Sequence, residues 1–465
     1  MATLKKDIVV IGGGPAGYIA AIKAARLGAE VLLAEELQVG GTCLNRGCIP
    51  TKFYAQSAHT ILELSQAESR GIEVRDPQVS MNMKKALAGK NKTVKKLTAG
   101  VRSLLKHAGV VVENQRAHLT EGKIVQLADG TIVEAGAVIL ATGSLSSQIP
   151  IEGIESPLVM DSDQFLDLDY VPKRIAVIGG GVIGIEFASI FQAFGSAVTV
   201  VEAQPSILPM FDSQAIEITA AALKKRGITI YTDAAVKKIT TQNDEAEVHL
   251  TDGTTITVDV ILLAVGRISN LSCIDDKSKI EVERGRVLTD DTGMTSEPGV
   301  YAAGDITGRK LLAHAAYQMG ETVAHNACVD TRIVTDAKKK FDLDIVPSVV
   351  YSIPEVASVG LSENEAAKKY ETVVGKFPLS ANGRALSGGE TEGFVKVVAE
   401  KKYGQILGVC CVGMYASEVI NEAALAMRHE LTVYEVAETI HGHPTISEAF
   451  MEAASSCIGQ CYHMM

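Results

Sequence analysis

Apolar residues fall into two textures along this chain. Ahead of Val346 they come as short unbroken runs that end near glycine and lead into stretches of helical spacing. A run such as Ile8 to Ile11 has no polar face, which marks a strand covered on both sides of a parallel sheet. The same argument predicts buried strands at 30–34, 137–140, 174–178, 197–201, 260–265 and 299–303, with weaker strand-like pieces at 109–113, 123–127 and 131–134. Helical spacing follows the first run as far as Leu27, and recurs to Phe194, over 213–226 and over 313–325. Leu87, Val94, Leu97, Val101, Leu104 and Leu105 recur among lysines, predicting a helix over 83–106 with a solvated basic face; a binding patch is the alternative. From Val346 apolar residues alternate with polar ones, giving strands at 348–351, 372–378, 393–399 and 406–412 and helices at 416–429 and 432–439. That reads as a separate α+β domain.

What joins the first two strands carries chemistry. Gly12-Gly13-Gly14-Pro15-Ala16-Gly17 links the run 7–11 to a helix, and the strand 30–34 ends at Glu35. Strand, G-x-G-x-x-G, helix, strand, acid is a dinucleotide fingerprint in full context. Its glycines give the turn, the backbone approach to pyrophosphate and the close helix–strand packing, while the acid reaches a ribose hydroxyl. The unit repeats 167 residues later: Gly12 maps to Gly179, Gly17 to Gly184, Gly28 to Gly195 and Glu35 to Glu202. Two dinucleotide sites follow, one suited to a flavin dinucleotide and one to a nicotinamide dinucleotide. Glu202 would repel a 2′-phosphate, and Ala203-Gln204-Pro205 offers no arginine to hold one, which favours NAD over NADP.

The remaining signals bear on redox chemistry. The 465 residues exceed one ordinary core and imply two to four domains. A formal charge of −11 argues against nonspecific nucleic-acid binding. Eight cysteines are too sparse for a secreted disulfide framework and fit a reducing, cytoplasmic setting. The charged N-terminus precedes only four apolar residues before glycine, a strand rather than a signal sequence, and no run is long enough to span a membrane.

Cys43 and Cys48 stand in Gly40-Gly-Thr-Cys-Leu-Asn-Arg-Gly-Cys-Ile-Pro-Thr-Lys52. In one continuous helix their Cα atoms would lie roughly 8–9 Å apart, beyond the ~7 Å that a disulfide tolerates. The pair can bridge only if Gly47 ends a turn and a helix begins near Cys48, with Pro50 in its first turn. Cys48 would then gain thiolate stabilisation from the helix N-terminus. Near the other end, His443-Pro444 precedes Glu448, a histidine and carboxylate spaced as for a general base, though by themselves these residues read as solvated loop positions. Asp305, after the run 299–303, is placed to meet a ribityl or ribose hydroxyl, with a plain turn aspartate as the alternative. Cys410 and Cys411 read as strand core; Cys457 and Cys461 read as structural, with a second redox pair as the alternative.

Over about residues 5–465 the chain resembles the disulfide-reducing flavoprotein family, through GGTCLNRGCIPTK, the two GGG-x-x-G units, ATGS at 141–144, Ala-Ala-Gly-Asp at 302–305, Leu-Ala-His at 312–314, ANGRAL at 381–386 and HPTISE at 443–448. The resemblance implies an α/β fold: two Rossmann-like dinucleotide-binding domains (FAD at 1–150, NAD at 151–272), a central segment (273–343) completing the FAD site, and a C-terminal α+β dimerisation domain (344–465). It implies that Cys48 is the thiol against the flavin, Cys43 the interchange thiol, His443 the acid/base and Glu448 its orienting partner, with Lys52 and Glu186 a pair near the flavin. FAD contacts would come from Gly12, Gly14, Gly17, Glu35, Gly41, Thr42, Lys52, Ala117, Thr142, Gly143, Ser144, Asp305 and Ala313. NAD contacts would come from Gly179, Gly181, Gly184, Glu202, Val236 and Gly266. Arg46 and Ser269 depart from the family pattern, which would more often have an apolar residue and a proline there. The implied reaction is oxidation of a dihydrolipoyl group on a protein of a multienzyme complex. It needs a homodimer, because His443 and Glu448 would serve the other subunit's cysteines. The rivals are a reductase of the glutathione or mercuric type, and a docking subunit without turnover. No lipoyl domain is expected ahead of the first strand.

Overall fold

The computed structural model describes residues 3–73 and 79–464 and divides into two compact units. One joins Met1–Phe53, Lys85–Ser147 and Gly266–Leu343; the other joins Tyr54–Lys84, Gln148–Val265 and Asp344–Met465.

The first unit is built on a seven-stranded sheet. Thr3–Ile11 lies between Val31–Ala34 and Ile132–Leu140, parallel to both, and Val111–Glu113 extends the edge beyond Val31–Ala34. Val9, Val10, Leu32, Leu33, Val138 and Ile139 are fully buried, as unbroken apolar runs require. The pieces expected at 131–134 and 137–140 form one strand, Ile132–Leu140. Gly136 passes through it because a Cβ there would lie 2.7 Å from the Asp7 carbonyl oxygen. The first half of this strand pairs antiparallel with Ile124–Leu127, which in turn holds Ala117–Leu119, a strand the pattern did not reveal. The second half pairs parallel with Val300–Ala302, which brings the segment before Asp305 into the sheet. Helices Pro15–Arg26 and Ala313–Asp330 pack closely, since a Cβ on Gly320 would meet the Ala16 carbonyl oxygen at 2.4 Å.

The second unit holds a five-stranded parallel sheet ordered Thr229–Tyr231, Ala197–Val201, Arg174–Ile178, Val260–Leu263, Val159–Met160. It also holds an antiparallel three-stranded meander, Val236–Gln242, Glu245–Leu250 and Thr255–Val258. A five-stranded antiparallel sheet runs Ser348–Val350, Val356–Gly360, Ile406–Val412, Phe394–Glu400, Thr372–Pro378. Helices Ala416–Arg428 and Glu448–Cys457 share its core, where Ile420, Ala423, Ala449 and Phe450 are fully buried. Cys410 and Cys411 lie buried in Ile406–Val412. Cys457 and Cys461 are free thiols: Cys457 contacts the Val397 carbonyl and Cys461 donates to Glu452 at 3.1 Å. The basic helix forms as Met83–His107. Among the described residues no helix is long and apolar enough to cross a membrane.

Candidate active site

The stretch around the cysteines is more helical than its glycines suggest. A short helix, Gly41–Arg46, carries Cys43, Gly47 ends it, and a second helix, Cys48–Ser65, begins at the other cysteine. The turn expected ahead of Cys48 is thus a helix with a break. A Cβ on Gly47 would lie 3.0 Å from the Thr42 carbonyl oxygen, so the chain folds back tightly at that point. The break brings the sulfurs together: they are thiols rather than a disulfide, and they share a hydrogen bond. That bond and burial push the Cys43 thiol well above its ordinary range, against the opposing charge of Lys52. Cys48 opens its helix, and is the sulfur whose thiolate the helix N-terminus would stabilise.

Two aromatic residues that no motif signalled close this spot. Tyr18, on the fingerprint helix, and Tyr317, on Ala313–Asp330, meet at a tilt with ring centroids 6.0 Å apart, in the same apolar cluster as Cys43, Leu44 and Cys48. Their hydroxyls hydrogen-bond to each other, and burial raises both phenols.

Around the first fingerprint, Gly12 has φ +101°, and a Cβ there would sit 2.4 Å from the Ala141 carbonyl oxygen; one on Gly17 would sit 1.8 Å from the Gly12 carbonyl oxygen. Gly14, at the N-terminus of helix Pro15–Arg26, faces Gly41, whose added Cβ would come within 2.6 Å of the Gly14 Cα. Two bare glycine backbones at helix starts thus line one cradle, with Thr42 beside it, which fits a pyrophosphate. Glu35 is fixed by backbone donors, Gly13 N at 2.7 Å and Leu37 N at 2.8 Å, and keeps acceptor capacity for a ribose. On the other side, Ser144 donates to Asp305 at 2.6 Å and receives Arg267 Nε at 2.8 Å. Ser269, the departure from the family pattern, donates to the Asp305 carbonyl at 2.7 Å. Thr142 donates to the Asn270 carbonyl at 2.6 Å, and Asn270 N donates to Gly143 at 2.9 Å. Burial pushes the Asp305 carboxyl up despite the Ser144 bond. Ala313 opens helix Ala313–Asp330, and Ala117 is buried at the start of Ala117–Leu119. Gly266, expected to contact the nicotinamide dinucleotide, lies in this unit, where its carbonyl accepts from Ser147 N at 2.9 Å.

The second fingerprint repeats the main contacts of the first. Gly179 has φ +111° and Gly184 closes on it, since a Cβ on Gly184 would lie 2.0 Å from the Gly179 carbonyl oxygen. Glu202 accepts from Gly180 N at 2.6 Å and Gln204 N at 2.7 Å. A Cβ on Gly181 would meet no atom within 4 Å, so that glycine answers to room beside a helix start rather than to internal packing. Val236 begins the meander. Glu186 is buried on helix Val182–Ala193, its carboxylate accepting from Tyr351 N at 2.9 Å.

In the antiparallel part of the second unit, His443 Nδ1 lies 2.8 Å from Glu448 Oε1, and Thr445 N donates to Glu448 Oε2 at 2.7 Å. Burial works against the charge on Glu448, but the Thr445 and His443 bonds outweigh it and hold the carboxyl below its ordinary range. The imidazole is oriented through Nδ1, and with its side chain 78% exposed it presents Nε2 outward. This is the construction of a general base.

These features agree with the comparisons to known proteins. The model of the pyridine nucleotide-disulphide oxidoreductases matches residues 6–320, and that of their dimerisation domain matches residues 346–454. The chain is 38% identical to the dihydrolipoyl dehydrogenase of Bacillus subtilis, covering all of both chains, and 40% identical to that of Thermus scotoductus, covering 99% of each. Among solved structures it resembles LpdA of Mycobacterium tuberculosis (TM-score 0.88, 28% identity, 98% of this chain and 99% of that one). It also resembles the HOCl-induced flavoprotein disulfide reductase RclA of Escherichia coli (TM-score 0.86, 26% identity, 97% and 99%).

Proposed function

The chain belongs to the pyridine nucleotide-disulphide oxidoreductase family, and on that premise we propose that it oxidises a dihydrolipoyl group carried by a protein of a multienzyme complex, passing the electrons to NAD in the cytoplasm. The observation that carries this reading is the hydrogen-bonded thiol pair at a helix start. The same reading divides the chain into segments 1–150 for FAD, 151–272 for NAD, 273–343 completing the FAD site and 344–465 for a homodimer interface.

In the oxidised enzyme Cys43 and Cys48 form a disulfide. His443 of the partner subunit takes a proton at Nε2 from one substrate thiol, while Glu448 steadies the imidazolium through Nδ1. The substrate thiolate attacks Cys43 Sγ; the Cys43–Cys48 bond breaks and Cys48 leaves as a thiolate. The second substrate sulfur displaces Cys43 from the mixed disulfide and its proton passes to the departing Cys43 sulfur, closing the cyclic product and leaving Cys43 as a thiol and Cys48 as a thiolate. Bound FAD supplies the two-electron route from Cys48 to NAD. Gly14, Gly41, Glu35, Ser144 and Asp305 would hold FAD, and Gly181 and Glu202 would hold NAD.

Glu202 and its neighbours disfavour the NADPH-dependent glutathione type. The deciding experiment measures NAD reduction by dihydrolipoamide on pure protein, beside NADPH-dependent reduction of glutathione disulfide and of mercuric ion. Turnover confined to either of the latter overturns the proposal, and none with any substrate points to a docking role.

A further inference from the structure

The loop that presents His443 carries a second histidine–carboxylate pair. His441 is nearly enclosed, its side chain 6% exposed. Its Nδ1 lies 2.9 Å from the Thr439 carbonyl oxygen, and its Nε2 lies 2.7 Å from Glu422 Oε1 on helix Ala416–Arg428. A carbonyl and a carboxylate can only accept, so a ring that satisfies both must donate from both nitrogens. A neutral imidazole carries one N–H and would leave one of these short contacts without a proton.

Resting on the reading of His443 as the base, we propose that His441 is a positioning residue: a fixed imidazolium that ties the His443 loop to helix Ala416–Arg428 and sets the charge around the His443–Glu448 dyad. The groups facing it are Glu422 on that helix, Glu448 at the start of Glu448–Cys457, which feels its charge, and His443 two residues along the loop. The charge of Glu448 also reaches His463, and that of Glu422 reaches Cys411. With His441 charged, the Glu422 pair is neutral overall. Replacing His441 by a neutral side chain leaves Glu422 as a bare anion near the dyad and makes protonation of His443 easier. Replacing Glu422 by glutamine removes the need for the second ring proton, so the pair stays neutral and the dyad is little affected.

The test compares His441→Gln, Glu422→Gln and His443→Gln in the full-length FAD-loaded enzyme, following kcat/KM for dihydrolipoamide against pH. His441→Gln should move the acid limb up by about half a pH unit, and Glu422→Gln should move it less. A lower rate with an unmoved acid limb in His441→Gln would mean that the residue is only structural, and would overturn the proposal. Solid-state 15N spectra of histidine-labelled enzyme at neutral pH give a readout without turnover. The signal missing from the His441→Gln spectrum should belong to a doubly protonated ring, and a neutral ring there overturns the proposal even if that variant is inactive. Full activity in His443→Gln would instead refute the assignment of the base, and the positioning role with it.

Discussion

Nicotinamide selectivity gives the sharpest test of the second fingerprint. The Glu202 carboxylate is not free to swing away from an incoming 2′-phosphate, because Gly180 N and Gln204 N hold its two oxygens at 2.6 and 2.7 Å. Releasing it would break two hydrogen bonds to a charged group, each worth roughly 1.5–3 kcal/mol. Leaving it in place would set two anions about 4 Å apart, which costs about 4 kcal/mol per unit charge at an effective dielectric near 20. Either route costs about 3 kcal/mol or more, so kcat/KM for NADH should exceed that for NADPH by roughly a hundredfold or more. Glu202→Gln keeps an oxygen for Gly180 N but drops the charge. It should keep NADH activity within a few-fold and raise NADPH activity enough to cut the ratio at least about tenfold. The measurement is steady-state kcat/KM for both nucleotides in both proteins. An unchanged ratio in Glu202→Gln, or a parent enzyme that prefers NADPH, would refute the reasoning.

Further expectations follow from other contacts. Gly17→Ala forces a Cβ to within 1.8 Å of the Gly12 carbonyl oxygen, so it should cost about 3 kcal/mol or more in urea unfolding and yield protein without yellow absorbance. Lys396, 2% exposed between Asp212 at 2.7 Å and Glu363 at 2.9 Å, should cost about 3–5 kcal/mol when replaced by alanine, because Asp212 stays buried without its cation; urea unfolding with a midpoint equal to the parent's would count against that pair. Mixed Cys48→Ser and His443→Gln subunits, each inactive alone, should recover activity on exchange if the site is shared between chains; verified exchange without recovery would mean that each chain completes its own. Cys48 opens a helix, whose N-terminus stabilises a thiolate, so with the flavin oxidised Cys43→Ser should show long-wavelength thiolate–flavin absorbance and Cys48→Ser should lack it, and the opposite result would reverse the assigned roles.

What the sequence disclosed was local. Unbroken runs located the inner strands of both sheets, because burial on both faces leaves no polar position to hide them, whereas the short edge strands Thr229–Tyr231 and Val159–Met160 offered no such run. Gly47 and Pro50 located the start of the helix at Cys48. The six-residue helix Gly41–Arg46 escaped notice because it opens on glycine and is too short to display a period. Val356–Gly360 escaped for a similar reason, as five residues running from a proline turn into a glycine. The pieces at 131–134 and 137–140 read as separate, whereas they form one strand in which Gly136 lets Asp7 of the neighbouring strand come close. Contacts at long range had no local signal: Ser144 meets Asp305 across 161 positions, and Tyr18 and Tyr317 carry no motif that would place them beside the thiols.

The two fingerprints also explain how one chain can hold two nucleotides without confusing their tasks. Glu35 and Glu202 are each anchored by the N–H of the glycine after the first fingerprint glycine, at 2.7 and 2.6 Å. The acid is therefore aimed before any ribose arrives, and binding spends little on ordering it. What differs lies beyond that shared frame. The first cradle is closed by Gly41, just ahead of Cys43 on the same short helix, and by the Ser144–Asp305 link. Next to Gly181 no side chain or backbone stands within 4 Å of an added Cβ. A cradle walled on its far side suits a cofactor held through many turnovers, and one left open suits a nucleotide that exchanges in each. If that contrast governs retention, Gly41→Ala should release flavin on gel filtration while Gly181→Ala should keep it and raise KM for NAD; loss of flavin from both, or from neither, would break the link between walls and residence.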